Sequence, residues 1–476
     1  TIMPVIPLPT VCDHRVLPRD VTLLPDQNGA AAIGLPPGRR RQVEVRGTGG
    51  ASEQFVVDGD RLLLPTGGPY SITVSDGDTI AHQANDVLVG DVWALAGQSN
   101  MMGGGALDDE PTPIENVRML GFDERWQPAV DPLHRLWENP QSPVLRSARR
   151  DVHAPMSDEA WAQVCAPYFA QQQQGPIGGV GPGSSFAREL AVRTDVPVGL
   201  VPCALGATSL YNWRRDWAAK TGAAFADTLY GNLVLRARDA GPLRGVAWYQ
   251  GEGDSGPDPA PSYFERFAGF VEELRADLED PQLPIVTVQI SRYDIAQLKR
   301  VLNEDVDPAD VAGWPLVRDA QRRVADAIAN VAVVAAADLT LGDGVHLDRP
   351  AVDVLGRRMA MVAEQFVPGH TGRSSPRLVA VEAVDSQTVV CRFDSVDGEL
   401  EMTGPCDVVV DGASVLDVRA EGDAFVVHVD QPLAAGATIV YGPGLCPRAA
   451  LVDKGGLPVP LFGPVVITGA GTGSGR

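Results

Sequence analysis

Six short apolar runs recur through the middle of this chain, at residues 92–96, 117–120, 198–204, 245–249, 285–290 and 331–336. Segments with helical spacing lie between them. This alternation is the strongest constraint on the fold. Runs this short and this apolar suit strands buried on both faces, as in a parallel sheet covered by helices. Helices are predicted over 185–193, 262–278, 317–329 and 352–366. In the second of these, Phe264, Phe267, Phe270, Val271 and Leu274 share one face. Such alternation over about 280 residues implies an α/β fold with helices on both faces of a parallel sheet.

The flanks read differently. Residues 1–90 hold short strand-like segments (42–45, 61–64, 71–74) between Gly, Pro and Asp clusters, so an N-terminal β-rich module is expected there. The α/β domain is expected over 91–367. Inside it, residues 122–182 show little periodicity and much Pro, Gln, Arg and aromatic content, including Trp126, Trp137, Trp161 and Tyr168. Connections beyond about 15 residues are uncommon and often functional. This one is expected to be an elaborated loop over one end of the sheet, or else an excursion with its own small core. Residues 368–376 are a linker by composition. Strand-like alternation returns at 378–384, 388–393, 408–410, 424–429 and 438–441, predicting a C-terminal β-sandwich-like module over 377–468. The tail, 469–476, is expected to be disordered.

The chain has 476 residues and a formal net charge of −22. Nucleic-acid binding needs clustered Lys and Arg, so that class is excluded, as is docking on an anionic membrane. No apolar run approaches the ~20 residues of a membrane span, so no membrane insertion is expected. No signal peptide is visible at Thr1-Ile-Met-Pro, so a cytoplasmic protein is expected, with a processed secreted form as the alternative. The six cysteines (Cys12, Cys165, Cys203, Cys391, Cys406, Cys446) form no C-x-x-C pair, which argues against zinc. Buried free thiols are expected, with one disulfide among Cys391, Cys406 and Cys446 as the alternative. No metal or cofactor is expected. The oligomeric state is not readable.

Four polar, Gly-containing segments each follow an apolar run. In Gly97-Gln98-Ser99-Asn100, Gly97 allows a tight turn that presents a serine hydroxyl at the carboxyl end of a strand, where α/β folds bind ligands. In Asp343-Gly-Val-His346, the three-residue spacing lets a carboxylate reach the imidazole Nδ1 and leave Nε2 free to accept a proton. Gln250, in Gln250-Gly-Glu252, carries an amide able to donate to an oxyanion, and Gly206 offers a backbone N–H at close approach. Each segment alone reads as turn chemistry. Together they supply a nucleophile, a base with its orienter, and oxyanion donors at one rim of a sheet.

This ordered set resembles the SGNH hydrolases, in the branch of sialate O-acetylesterases and related carbohydrate acetylesterases. Val180-Gly-Pro-Gly183 with Phe186, and Arg318-x-x-Gln321, resemble that branch too. So do the end segments Arg15-Val-Leu-Pro-Arg-Asp20 and Gly455-Gly-Leu-Pro-x-Pro-Leu-Phe462. The resemblance implies a three-layer SGNH-type sheet flanked by β-rich modules. It makes Ser99 the nucleophile, His346 the general base and then acid, and Asp343 its orienter. The Ser99 and Gly206 N–H groups and the Gln250 amide would form the oxyanion hole, with Gln98, Asn100 and Glu252 in support. Two departures stand out. Leu347 follows the histidine where the family often has Pro, and Leu205-Gly206-Ala207-Thr208 replaces a block usually written Gly-Gly-Thr.

A small acyl group on a carbohydrate is the expected substrate, since no long apolar lid for a lipid chain is apparent. Tyr211, Trp213, Arg214 and Arg292 lie just beyond strands that feed the cleft and are candidate sugar contacts. Trp126, Trp137 and Trp161 are weaker ones. The remaining histidines, His134 among them, have no motif context. The alternatives are an acetylxylan, xyloglucan or general short-chain carboxylesterase and, outside enzymes, an inactive carbohydrate-binding scaffold.

Overall fold

In the computed structural model, the described residues are 5–35, 41–47, 56–58, 60–107, 110–138 and 179–469. The central sheet is built on β1 (Thr79–Gly97) and includes β2 (Val117–Leu120), β3 (Val198–Pro202), β4 (Gly245–Tyr249), β5 (Ile285–Gln289) and β6 (Val331–Ala335). Their order across the sheet is β2, β3, β1, β4, β5, β6, all parallel in the paired register. Strands β3 to β6 are buried along their whole length, so both faces are covered. The helices that cover them include α1 (Ser99–Met102), α2 (Pro182–Thr194), α3 (Leu229–Ala240), α4 (Tyr263–Asp277), α5 (Ile295–Leu302), α6 (Trp314–Ala327) and α7 (Arg349–Ala363). Helix α2 packs on α7, and α4 on α6. Three of these, α1, α3 and α5, have no counterpart among the helices expected from the sequence. In α3, Gly231 and Asn232 interrupt the apolar face formed by Leu229, Leu233, Val234 and Ala237.

The boundary expected at 90/91 falls inside β1, which runs unbroken through it. The first part of β1 pairs antiparallel with Gly67–Asp76; Thr79 and Ile80 are exposed, and from Ala81 to Asp86 every second position is exposed. From Val87 onward it is buried on every position, and from Asp91 it pairs with β3 and then β4. The change from one covered face to two produces the change in hydropathy pattern. The strand itself does not end. The N-terminal β-rich part and the α/β part therefore share a sheet. Arg19 and Asp91 form a buried ion pair across the junction, at 3.0 Å.

The long insertion begins as more sheet. Trp126–Pro128 pairs antiparallel with β2, adding an edge strand, and Trp126 is buried. Trp161, Tyr168 and Cys165 lie outside the described residues, as do positions 470–476. At the C-terminal end, one sheet joins Arg377–Asp385, Thr388–Asp394, Ala424–Val429 and Val415–Glu421; another joins Val408–Val410, Thr438–Tyr441 and Phe462–Val466. Phe393, Phe425, Tyr441 and Phe462 fill the core they share. The segment 368–376 is pinned down: buried Ser375 donates to the Val333 carbonyl of β6 at 2.7 Å. Composition signals a turn but says nothing of burial. Among the described residues the cysteines are free; Cys203 and Cys391 are buried, while Cys12 and Cys446 are exposed. Among those residues no helix is long and apolar enough to cross a membrane.

Candidate active site

The sheet order reverses at β1, with β3 on one side and β4 on the other, so the loops after β1, β3 and β4 meet at one rim. Strand β1 ends at Gly97, where φ is +129° and an added Cβ would stand 2.1 Å from the Tyr249 carbonyl oxygen. Only glycine lets the two strand ends approach this closely. The chain then turns through Gln98 into α1, whose first residue is Ser99.

Ser99 Oγ lies 2.9 Å from His346 Nε2, and His346 Nδ1 lies 2.7 Å from Asp343 Oδ2. The other carboxylate oxygen, Oδ1, accepts the backbone N–H groups of Val345 and His346 at 2.9 and 2.8 Å. The aspartate is thus held by its own loop, which fixes the ring beside it. Burial alone would lower the His346 pKa. The Asp343 hydrogen bond and charge, with Glu252 and Glu304 nearby, reverse this and raise it above the ordinary histidine value. Burial pushes Asp343 the other way, but the same bond and the two backbone donors bring it below the usual carboxylate range. An imidazole so placed can accept a hydroxyl proton, with the resulting cation stabilised by a carboxylate that stays ionised.

Gly206 lies against Ser99: a Cβ there would stand 3.5 Å from the Ser99 Cβ. Next to it, Ala207 holds φ +58°, the left-handed region that costs a non-glycine residue about 1–2 kcal/mol. Asn100 ties two loops together. Its Nδ2 donates to Glu252 Oε1 at 2.7 Å and to the Val345 carbonyl at 3.2 Å, and its Oδ1 accepts the Leu347 N–H at 3.1 Å. Asn100 therefore grips the backbone on both sides of His346. Glu252, its partner, is buried, and desolvation raises its pKa against the Asn100 hydrogen bond. Gln98 Oε1 accepts the Gly253 N–H at 3.1 Å, joining the same network.

Other expectations are corrected. Gln250 does not present its amide to the rim. It is fully buried, and its Nε2 donates to Asp254 Oδ2 at 2.6 Å, the Thr208 carbonyl at 3.0 Å and Gln98 Oε1 at 3.3 Å. With both N–H bonds committed, Gln250 tethers the 206–212 loop. Trp213 is no sugar platform: it is fully buried, donates from Nε1 to Thr208 Oγ1 at 3.1 Å and packs edge-on against Trp248. Arg214 pairs with Asp216 at 2.8 Å in solvent. Arg292 donates to the Leu339 carbonyl at 2.8 Å. Tyr211 is exposed, but the Arg266 guanidinium covers its ring at 4.5 Å.

Two contributors were missed. His134 is buried behind the nucleophile turn, and its Nε2 accepts the Ala204 N–H at 3.2 Å. Burial pushes its pKa down to about 3, so it is neutral. Nothing in its local sequence marks this. Gly104 backs onto the histidine, where a Cβ would stand 2.7 Å from the His346 Cβ. The run Gly103-Gly-Gly105, just after the serine, was the available signal. Among the described residues, no group of three or more His, Cys, Asp or Glu side chains is arranged to hold a metal ion.

Comparison with known proteins bears on this geometry. Residues 89–365 match the family described as "Carbohydrate esterase, sialic acid-specific acetylesterase". A probable carbohydrate esterase of Arabidopsis thaliana is 31% identical over 244 residues, covering 48% of this chain and 82% of that protein. The crystal structure of a carbohydrate acetylesterase from Xanthomonas citri superposes with a TM-score of 0.60 at 22% identity, covering 96% of this chain and 99% of the other, so the two share a fold. The chain belongs to the sialic acid-specific acetylesterase family of carbohydrate esterases, as a carboxylic ester hydrolase acting on carbohydrate acetyl groups.

Proposed function

We propose that the protein is a sialate O-acetylesterase-like enzyme that removes O-acetyl groups from a carbohydrate by a Ser-His-Asp acyl-enzyme mechanism. Ser99 Oγ attacks the acetyl carbonyl while His346 Nε2 takes its proton. Asp343 holds the tautomer and stabilises the imidazolium. The oxyanion of the tetrahedral intermediate is met by the N–H groups of Ser99 and Gly206. The intermediate collapses as His346 returns the proton to the departing sugar oxygen, leaving acetyl-Ser99. A water then gives a proton to His346 and attacks the acyl carbon; acetate leaves and Ser99 recovers its proton. The observation that carries this reading is the unbroken chain from Asp343 through His346 to Ser99, at 2.7 and 2.9 Å. The test is acetate release from O-acetylated sialic acid, acetylated xylan and plain alkyl acetates. Preference for an acetylated sugar, lost in Ser99→Ala, supports the reading. Equal turnover of alkyl acetates points to a general short-chain esterase, and undiminished turnover by Ser99→Ala rejects the mechanism.

A further inference from the structure

The motif Arg318-x-x-Gln321 lies on α6, and the chemistry above gives it no task. Arg318 is 1% exposed. Its guanidinium donates to backbone carbonyls: Ser291 at 2.7 Å, Leu445 at 2.8 Å, Gly444 at 2.9 Å and Ile290 at 3.4 Å. A cation buried against carbonyls recovers only part of its lost hydration, and burial pushes its pKa down to about 9. Ile290 and Ser291 continue from the end of β5, whereas Gly444 and Leu445 belong to the C-terminal β-rich part. Gln321 holds the same place from the other side, accepting the Ile290 N–H at 2.9 Å and donating to the Gln250 carbonyl at 2.8 Å.

The contact continues toward the reacting groups. The Leu445 carbonyl also accepts the Tyr293 N–H at 2.9 Å. The next residue, Asp294, donates its N–H to the Gly344 carbonyl at 2.8 Å, and its carboxylate caps α5 by accepting the Gln297 N–H at 2.9 Å. Gly344 follows Asp343 directly. A second buried joint, between the Gln289 side chain and both backbone groups of Leu461 at 2.8 Å, holds the C-terminal part to β5 itself.

We propose that the C-terminal β-rich part braces the Asp343–His346 loop, because Arg318 and the carbonyls of Gly444 and Leu445 fix residues 290–294, on which Gly344 rests. Arg318 is then a positioning residue. The brace affects turnover only if Asp343 and His346 carry the proton, the reading given above.

The test is Arg318→Met, measured for kcat, KM and the acid limb of kcat/KM, with the downfield Nδ1 proton of His346 followed by NMR. Misplacement on the ångström scale lowers kcat by about 10- to 100-fold, with KM within about threefold because uniform binding is untouched. Three carboxylates face His346: Asp343 in its own loop, Glu252 after β4, and Glu304 after α5. Loosening Asp343 removes the largest raising influence, so the acid limb moves to lower pH and the downfield proton shifts or broadens. Arg318→Lys keeps the charge and reaches only part of the carbonyl set, giving intermediate values. It carries the measurement if the methionine variant does not melt cooperatively. A folded Arg318→Met enzyme with unchanged kcat overturns the brace. So does lowered kcat with an unmoved acid limb and resonance, which general loosening would give. Asp343→Asn, run alongside, separates the two readings. If it leaves turnover intact, the triad reading fails; if it abolishes turnover while Arg318→Met does not, only the brace fails.

Discussion

Replacing Asp343 by Asn keeps the shape of the side chain and removes its charge. The structure determines how the amide must sit. Oδ1 of Asp343 accepts the N–H groups of Val345 and His346 at 2.9 and 2.8 Å. The oxygen of the new amide has to stay on those two donors, because leaving them unmet would cost about 1–3 kcal/mol. The NH2 group then faces His346 Nδ1, at the position where Oδ2 now stands 2.7 Å away. A donor there makes Nδ1 an acceptor and puts the ring proton on Nε2. That nitrogen can no longer take the Ser99 proton. The expected fall in kcat is about 10⁴-fold, or roughly 5.5 kcal/mol of transition-state stabilisation. KM changes little. The pH dependence gives a second readout. Asp343 raises the His346 pKa against burial, so without the charge burial prevails and the acid limb of the residual activity moves to lower pH. Steady-state kinetics of aryl acetate hydrolysis across the pH range measure both. A variant within tenfold of wild type, or one whose acid limb stays in place, refutes the reasoning.

Asn100→Ala removes the grip on Val345 and Leu347 and strips buried Glu252 of its partner. About 1–3 kcal/mol of stability should be lost in urea unfolding, and kcat should fall about 10- to 100-fold at near-constant KM. His134 is buried and neutral, with its pKa pushed down to about 3. The unfolded chain binds that proton below about pH 6.5, so this contribution is complete above that pH and is lost as pH falls toward 3. Between pH 7 and pH 5 the loss is about 2 kcal/mol. His134→Leu should be less stable at pH 7 yet show a shallower decline on acidification; an unchanged slope in urea titrations contradicts this.

Much of the site was legible because the loops that form it are short and directly follow buried strands. Gly97-Gln98-Ser99 marks a turn at a strand end, and Asp343 and His346 are three positions apart, which places the two side chains in reach by local geometry alone. Direction was not legible. Gln250 and Trp213 follow strands as Ser99 does, yet both point inward, toward Thr208 and Asp254. Such choices depend on long-range packing that no local spacing records. The continuity of β1 was hidden for a related reason, since a strand that passes from one covered face to two changes its pattern without ending. Arg318 could be seen in the sequence, but its carbonyl partners in the C-terminal part, Gly444 and Leu445, lie 126 and 127 positions away.

The central claim is that Ser99 is the nucleophile, and covalent labelling tests it most directly. Active enzyme treated with an organophosphonate should take up one adduct as turnover disappears, and peptide mass spectrometry should find it on the Ser99 Oγ, with Asp343→Asn reacting far more slowly. An adduct on another residue that tracks the loss of activity, or full activity with Ser99 stoichiometrically modified, would contradict the account.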